Sequence, residues 1–482
     1  MTREKPSSGI SLGRVTTQLL LSRAAGSLLA VGNSVIVARV LGVDRLGTYA
    51  YARGIAALFG FLPHMGIATV VTREIARNPD TGTGVLRAAL SAQALLAGGV
   101  ILAIPAFAAI LPAQPVPLSY VALAAAQLAV GTLSLPYLAV VAGRAGYDRL
   151  AASELVLAGG GTLFLLVAAA LHGSVTAFLW AHVLAAGFAV VVARRVATPF
   201  LSVDRGQSVP LGALFRQATP FGVTVAVQSL YTRLDILLLG QMASTAALGL
   251  YSAAYKPVNL AIFFGATVAG TLFPLMARPS EEAVPVAFER AVRGLCVAGP
   301  TMALMLSGLA GPLLRVLYGT EFAGATPILV LLAWSAAANW LYAPLGIALQ
   351  ARGKEQWWLS SLMGGLVLNA IGNFWAIPRW GAVGAAGATL LSEVALLAMG
   401  AALVRRQLGI PLSLRPVLIA VGASAGGSAV LWALMPSGAL PATLTAVTVC
   451  VALLVVFGVA TVRDASLVVG WVRQATLRWS RG

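Results

Sequence analysis

Four basic residues lie inside long apolar stretches of the sequence, where ionisable side chains are rare: Arg23, Arg53, Arg233 and Lys256. A charge facing lipid is costly, so such residues usually face a hydrated cavity or a partner. The planar guanidinium fork also matches the oxygens of a phosphate group. We therefore predict that these cations line a cationic cavity that binds a diphosphate. The alternative is snorkelling toward the lipid head groups, which is easiest for Arg53 and Lys256 near helix ends.

Two acidic residues, Asp235 and Glu393, also lie within apolar stretches. Glu393 stands in the middle of its stretch and is a candidate for binding a proton or a sodium ion. Asp235 is two residues from Arg233, so the two side chains do not share a helix face. It either makes a structural contact with another helix or takes part in ion coupling. We expect His64 to be a hydrogen-bonded interior histidine rather than a proton relay.

The sequence offers no support for catalysis. It has no acidic metal cluster, no glycine-rich phosphate loop with its lysine and no Ser–His–Asp arrangement in a loop. Both cysteines, Cys296 and Cys450, lie in apolar stretches, which argues against a disulfide framework or a zinc site. We therefore expect a protein that is not an enzyme and needs no cofactor or metal.

Composition indicates a membrane protein. The 482 residues are 59% hydrophobic and only 10% charged, with a mean hydropathy of +0.89. A soluble domain has roughly 25% charged residues. The net charge of +17 suits arginine-rich loops at an anionic lipid surface. A nucleic-acid partner is not expected, because no basic stripe with interleaved aromatic residues occurs outside the apolar stretches.

About fourteen apolar runs are long enough to cross a bilayer, which takes roughly 20 residues. The sequence therefore predicts an all-α polytopic membrane protein. The runs are 12–38, 49–71, 85–111, 117–142, 151–171, 175–196, 213–239, 248–276, 284–310, 322–350, 357–378, 381–404, 413–435 and 440–462.

The distribution of basic residues predicts the orientation. With the N-terminus in the cytoplasm, 24 of the 32 Lys and Arg residues fall in cytoplasmic segments and 4 on the opposite side. Lysine and arginine concentrate in cytoplasmic loops. We therefore predict a multi-pass protein of the cytoplasmic (inner) membrane with both termini in the cytoplasm.

An internal repeat predicts two related halves. Leu46-Gly-Thr-Tyr49 opens one apolar run and Leu248-Gly-Leu-Tyr251 opens another about two hundred residues later. Such repeats of like orientation are related by an axis along the membrane normal. We expect two six-helix bundles in a pseudo-two-fold relation around a central cavity, plus two extra C-terminal helices. The predicted domains are 1–205, 206–411, 412–462 and a cytoplasmic basic tail, 463–482.

Several motifs resemble those of a known family. Arg39-Val-Leu-Gly-Val-Asp-Arg-Leu-Gly-Thr-Tyr49 and Gly66-Ile-Ala-Thr-Val-Val-Thr-Arg-Glu-Ile-Ala-Arg77 are similar to the start of the polysaccharide transporter or oligosaccharide flippase family. Arg233-Leu-Asp-Ile-Leu-Leu-Leu-Gly240 is similar to its midpoint, and Tyr318-Gly-Thr-Glu-Phe322 fits the same family. The family belongs to the multidrug/oligosaccharidyl-lipid/polysaccharide exporter superfamily.

The resemblance implies two bundles around a central cavity, and translocation of an undecaprenyl-diphosphate-linked oligosaccharide from the inner to the outer leaflet of the membrane. We expect alternating access between the two halves, driven by an ion gradient, the membrane potential or consumption of the substrate. The expected partners are the lipid-linked oligosaccharide and membrane lipids, with a glycan polymerase and glycosyltransferases as further candidates. No ATP-binding domain is expected.

Three other functions stay open at this point. A multidrug or cation exporter of the same superfamily would need an acidic cavity, whereas the buried charges here are mainly basic. A lipid II flippase would share both the architecture and the sign of the charge. A polytopic glycosyltransferase or polymerase would need a large outward loop, and the longest predicted outward stretches are only about ten residues.

Overall fold

The computed structural model describes residues 12–459 except 79–81, 113–114, 172, 202–209, 271–275, 277–282 and 411–413. The basic tail predicted at 463–482 lies outside these residues. The described residues form helices and connecting turns, with no strand among them. Ten helical segments in this part of the chain are long and apolar enough to cross a membrane. The prediction of an all-α polytopic membrane protein is confirmed.

The chain forms two compact units, Met1–Gly249 and Leu250–Gly482. The first unit ends within α10 (Thr245–Gly270). Its other helices, in chain order, are α1 (Leu12–Leu58), α2 (Phe61–His64), α3 (Ile67–Arg77), α4 (Gly82–Ala109), α5 (Leu118–Thr132), α6 (Leu135–Gly143), α7 (Tyr147–Leu171), α8 (Val175–Ala197) and α9 (Leu211–Met242).

Among the described residues, the second unit contains the remainder of α10 and six further α-helices. These are α11 (Ala283–Gly308), α12 (Ala310–Tyr318), α13 (Thr326–Ala351), α14 (Glu355–Leu408), α15 (Leu414–Leu434) and α16 (Ala439–Val456).

The helices coincide with the predicted apolar runs. Two of the ten membrane-length segments, Ala24–Arg77 and Glu355–Leu408, are 54 residues long, and each covers two predicted runs. Helices α9 and α10 match the runs 213–239 and 248–276. Most ends differ from the prediction by only a few residues, because Pro and Gly mark many of the breaks.

Local chemistry explains several of the helix starts. The side chain of Ser174 accepts a hydrogen bond from the backbone N–H of Ala177 at 3.1 Å and so caps α8. Pro136 lies in the first turn of α6, where its missing N–H is not needed. Gly66 adopts a left-handed conformation with φ 73° immediately before α3. Gly66 therefore separates α2 from α3.

The polar turn expected between the first two runs is shorter than the sequence suggests. Helix α1 runs from Leu12 to Leu58 and is interrupted only at Gly42, which has φ 71° and ψ −179°. A residue with a side chain rarely adopts this φ, so glycine confines the break to a single position. The second part of α1 therefore starts several residues earlier than the predicted run that begins at residue 49.

The turn between α7 and α8 and the turn within α14 share one backbone feature, a glycine with positive φ. Gly173, between α7 and α8, has φ 57°, and Gly381, within α14, has φ 54°. Gly381 divides α14 into two arms that pack side by side. A β-carbon on Gly365 would lie 2.6 Å from Leu396, and one on Gly372 would lie 3.1 Å from the β-carbon of Ala388. α14 is therefore a helical hairpin.

Helix α9 packs against α1, α2, α3 and α4, which places it in the first unit. The sequence repeat instead divides the chain at residue 205. The repeat reflects similarity between segments, and the compact units reflect packing. The division into two six-helix halves therefore remains a proposal.

Helices α15 and α16, the two beyond the predicted halves, pack on α11 within the second unit. Leu304 of α11 and Ala446 and Cys450 of α16 belong to one buried hydrophobic cluster. Glycine allows the close approach, because a β-carbon on Gly308 would lie 2.1 Å from the hydroxyl of Thr443. The two helices thus contribute to the core of this unit.

Candidate functional site

Arg53 lies in the second part of α1. It is ten residues beyond Val43, where this part begins, a distance of about 15 Å along a helix. The side chain is partly buried. A partly buried cation in a membrane-length helix indicates a polar environment around its guanidinium.

Two neutral side chains hold the Arg53 guanidinium. Its Nη1 donates to the hydroxyl of Tyr49 at 2.7 Å and lies 3.2 Å from Nε2 of His182. The Tyr49 hydroxyl lies 2.5 Å from the same His182 nitrogen. The guanidinium carbon is 5.4 Å from the centre of the Tyr49 ring, within range of a cation–π contact. These three residues form the Arg53 cluster.

The Arg53 cluster uses one edge of the guanidinium. Within the described part of the chain, the hydrogen bonds of Arg53 all involve Nη1. The opposite edge, formed by Nη2 and Nε, can donate two parallel hydrogen bonds to an oxyanion. The partners on Nη1 carry no negative charge when the imidazole is neutral. The cluster therefore keeps a full positive charge and presents a fork suited to phosphate.

Three helices position the cluster. Tyr49 and Arg53 are four residues apart on α1 and so lie on the same face, while His182 reaches them from α8. On another face of α1, the buried Tyr51 is hydrogen-bonded to Gln241 of α9. Gly240 allows this contact, because a β-carbon there would lie 2.0 Å from the Tyr51 ring. Packing on α9 thus fixes the segment of α1 that carries Arg53.

Sequence reasoning missed His182 and Tyr49. The chain has only three histidines, and His182 lies within the predicted run 175–196, so its position was itself a signal. The spacing of Tyr49 and Arg53 was a second signal. The partner helix could not be identified from the sequence, because His182 is 129 residues from Arg53.

The four predicted cations lie on α1, α9 and α10. The backbone of Arg23 lies in α1, and its side chain is outside the described part, as is that of His64. Arg233, on α9 in the first unit, is partly buried. Lys256 is exposed on α10 in the second unit and immediately precedes Pro257. The shared cationic cavity therefore remains a prediction.

The two candidate coupling residues are both buried, Asp235 with 4% exposure and Glu393 with 6%. Asp235 accepts a hydrogen bond from the backbone N–H of Ile236 at 2.8 Å. Glu393 accepts from the amide of Asn339 at 3.4 Å, which links α14 to α13. Buried carboxylates are costly unless they are paired or protonated. Both residues therefore remain candidates for binding a proton or cation.

Glu393 lies beside a buried polar network in α14. Asn369 in the first arm donates to Ser392 in the second at 3.2 Å, and Asn373 donates to Asn369 at 2.9 Å. The side-chain oxygen of Asn373 is buried and has no hydrogen-bond partner within the described part of the chain. Thr389, one turn from Glu393, faces the hydroxyl of Tyr251 at 3.5 Å. The network joins the two arms of the hairpin.

The second unit also contains an apolar cavity of about 590 Å³ between α11, α13, α14 and α15. Trp334, Leu341, Leu397 and Val421 are among the residues that line it, with Ser424 and Ser428 at one side. This lining suits hydrocarbon rather than a charged head group. Among the described residues, no group of three or more His, Cys, Asp or Glu could hold a metal ion.

Comparison with known proteins gives consistent results. The family model described as "Polysaccharide biosynthesis protein" matches residues 36–327. The chain is 23% identical over 396 residues to a probable low-salt glycan biosynthesis flippase, Agl15, of Haloferax volcanii. That alignment covers 80% of this chain and 81% of the relative.

Several solved membrane transporters have a similar fold. The lipid II flippase MurJ, in an inward closed conformation, has a TM-score of 0.68 at 12% identity and covers 91% of this chain and 97% of its own. A MOP-superfamily transporter from Pyrococcus furiosus has a TM-score of 0.60 at 15% identity, covering 84% and 99%. An inward-facing multidrug resistance MATE transporter has a TM-score of 0.59 at 14% identity, covering 78% and 94%. At these identities the likeness establishes the fold alone.

Proposed function

The chain belongs to the polysaccharide biosynthesis protein family, and from this premise we propose that it is a flippase for a lipid-linked oligosaccharide. Its substrate is an oligosaccharide on undecaprenyl diphosphate. The protein moves the head group from the inner to the outer leaflet of the cytoplasmic membrane. The family, and the resemblance to a glycan biosynthesis flippase over four-fifths of both chains, support this substrate class.

One observation carries the proposal: Arg53 is a partly buried cation inside a membrane-spanning segment, held at Nη1 by neutral partners. A diphosphate is the common chemical element of substrates that differ in their sugars. Two parallel N–H groups of the guanidinium can bind one phosphate of the diphosphate without contacting the sugar. Arg23, Arg233 and Lys256 are further candidates for contacts with the head group.

Alternating access between inward-open and outward-open states is the proposed mechanism. No ATP-binding domain is expected in this chain. The energy for transport is therefore proposed to come from an ion gradient, the membrane potential or consumption of the substrate. The potential alone supplies about 2.3 kcal/mol per charge per 100 mV. Asp235 and Glu393 are the proposed sites of ion coupling, since both carboxyl groups are buried in spanning helices.

The test is binding of undecaprenyl diphosphate to the purified protein in nanodiscs. Loss of a bidentate, charge-assisted contact should weaken binding about 10- to 100-fold in Arg53→Ala. Arg53→Lys should fall between, because a lysine keeps the charge and loses the fork. The matched control is Arg379→Ala, which removes an exposed arginine bound to the carbonyl of Trp375.

Equal affinity of the wild type and Arg53→Ala would contradict the proposal. Two further probes separate the alternative functions. Tighter binding of lipid II than of undecaprenyl diphosphate linked to other sugars would favour a lipid II flippase. Efflux of a cationic dye that does not depend on Arg53 would favour a multidrug exporter.

A further inference from the structure

We propose that His182 is a positioning residue for the substrate diphosphate, acting through Arg53. His182 and Tyr49 together hold the guanidinium by Nη1, so that its free edge points to one place before the substrate arrives. This inference rests on the proposed function, because it assigns a role within the same phosphate-binding site.

The hydrogen atoms of the cluster follow from its chemistry. A guanidinium can only donate hydrogen bonds, so Nε2 of His182, 3.2 Å from Nη1, is an acceptor. The Tyr49 hydroxyl accepts from Nη1 at 2.7 Å, and its own hydrogen is then available for Nε2. When the imidazole is neutral and carries its hydrogen on Nδ1, the Tyr49 hydroxyl and Nη1 share the single lone pair of Nε2.

A neutral acceptor suits this role better than a carboxylate. An acidic partner would hold Arg53 equally well, but it would cancel the charge that attracts the phosphate. Glu74 and Glu289 pair with other arginines, and among the described residues no acidic side chain is a hydrogen-bond partner of Arg53. His182 and Tyr49 therefore restrict the guanidinium without neutralising it.

Restriction matters because arginine is flexible. A free arginine side chain loses much rotamer entropy when it binds an anion. With Nη1 fixed from two helices, that loss occurs during folding, and binding retains more of the interaction energy. A displacement of α8 relative to α1 would also release the guanidinium, so the contact links phosphate affinity to the packing of these two helices.

A purely structural role for His182 makes a different prediction. If the histidine only joins α8 to α1, its removal should lower stability and affect affinity independently of Arg53. If it acts through Arg53, its removal should have no further effect once the guanidinium is gone. A double-mutant cycle distinguishes these cases.

The experiment measures the affinity of nanodisc-embedded protein for undecaprenyl diphosphate in five variants: His182→Ala, His182→Gln, Tyr49→Phe, Arg53→Ala and the double variant His182→Ala/Arg53→Ala. We expect His182→Ala to weaken binding about tenfold. The double variant should match Arg53→Ala within about twofold. His182→Gln should recover most of the affinity, because the glutamine side-chain oxygen can accept from Nη1.

The control on the same helix is Phe188→Ala. Phe188 packs edge-on against Phe164 of α7, with ring centres 6.1 Å apart, away from the cluster. This variant should lower the melting temperature and leave the affinity within about twofold of wild type. Should His182→Ala fail to fold, Tyr49→Phe and His182→Gln still test the contact, the former with weakened binding and the latter with recovery.

Two results would overturn the inference while leaving the proposed function intact. One is an unchanged affinity in both His182→Ala and Tyr49→Phe. The other is additive losses in the double variant. If wild type and Arg53→Ala bind equally weakly, the proposed function fails and the role of His182 fails with it.

Discussion

Gly47 and Gly249 lie against each other so closely that neither position has room for a side chain. A β-carbon on Gly47 would be 1.8 Å from the carbonyl oxygen of Thr245 and 3.0 Å from the nitrogen of Gly249. A β-carbon on Gly249 would be 2.0 Å from the carbonyl oxygen of Val43. These are the glycines that the sequence repeat pairs with each other. The second part of α1 and the first turn of α10 are thus in backbone contact.

Substitution of either glycine by alanine should destabilise the protein. The new methyl group would overlap backbone atoms, which cannot rotate away, so the two helices must separate. Overpacking of this kind costs about 1–3 kcal/mol, and more where backbone is displaced. We expect Gly47→Ala and Gly249→Ala to lower the melting temperature in detergent and the yield of monodisperse protein. Gly32→Ala, whose β-carbon meets nothing within 4 Å, is the control. Melting temperatures equal to the control would contradict the contact.

The packing of α15 and α16 on α11 can be tested by clash and rescue. In Gly308→Ala the methyl group would meet the Thr443 hydroxyl at 2.1 Å, with Leu431 also near. The variant should lose thermal stability. Adding Thr443→Ala removes the clashing atom, so the double variant should regain part of the loss despite its smaller side chain. Additive destabilisation, measured by thermal unfolding in detergent, would show that the two residues are not in contact.

Glu393→Gln should impair ion-coupled transport while leaving head-group binding intact. Glutamine keeps an oxygen that accepts from Asn339, so the fold should be preserved, but it cannot exchange a proton or carry a charge. In proteoliposomes with an imposed proton or sodium gradient, we expect transport to fall at least about tenfold, with head-group affinity within about twofold of wild type. Ser392→Ala, which removes the bond to Asn369 at the adjacent position, is the control. Transport by Glu393→Gln at the wild-type rate would exclude this residue from coupling.

The predicted orientation can be tested with two engineered cysteines. Thr320 and Glu355 are exposed and flank α13, a single span, so they should lie on opposite sides of the membrane. A membrane-impermeant maleimide on intact cells should label Thr320→Cys and leave Glu355→Cys unlabelled until the cells are opened. The native Cys296 and Cys450 are fully buried and should give little background. Labelling of Glu355→Cys alone would reverse the proposed topology.

The membrane-spanning helices could be predicted from the sequence because the bilayer constrains their length and composition. A spanning helix must be long and apolar, so the runs could be counted directly, and α7, α8, α11 and α15 begin and end within a few residues of the predictions. The family was recognised from motifs such as the one ending at Tyr49, and the family match confirms it. The length of the turn between the first two runs was overestimated. The sequence shows a polar stretch there, but it does not show that a single left-handed glycine, Gly42, makes the turn.

The site was less predictable than the fold. Arg53 and Glu393 could be chosen as candidates from the sequence because charged residues are rare in apolar runs. That argument does not require knowledge of their neighbours. Their partners His182 and Asn339 are 129 and 54 residues away, and only packing brings them within reach. The neutral character of the Arg53 partners, which decides what the cation can attract, therefore emerges only from three-dimensional contacts.

The hairpin at Gly381 has a practical consequence for the turnover of the protein. Proteases bind their substrates as extended chain, and they cut preferentially at exposed loops. Between Glu355 and Leu408 the chain passes from one arm to the other through a single non-helical residue, and the arms are tied by Asn369 and Ser392. An attacking protease finds no extended stretch there to bind. Degradation of the folded protein therefore has to start from some other part of the chain.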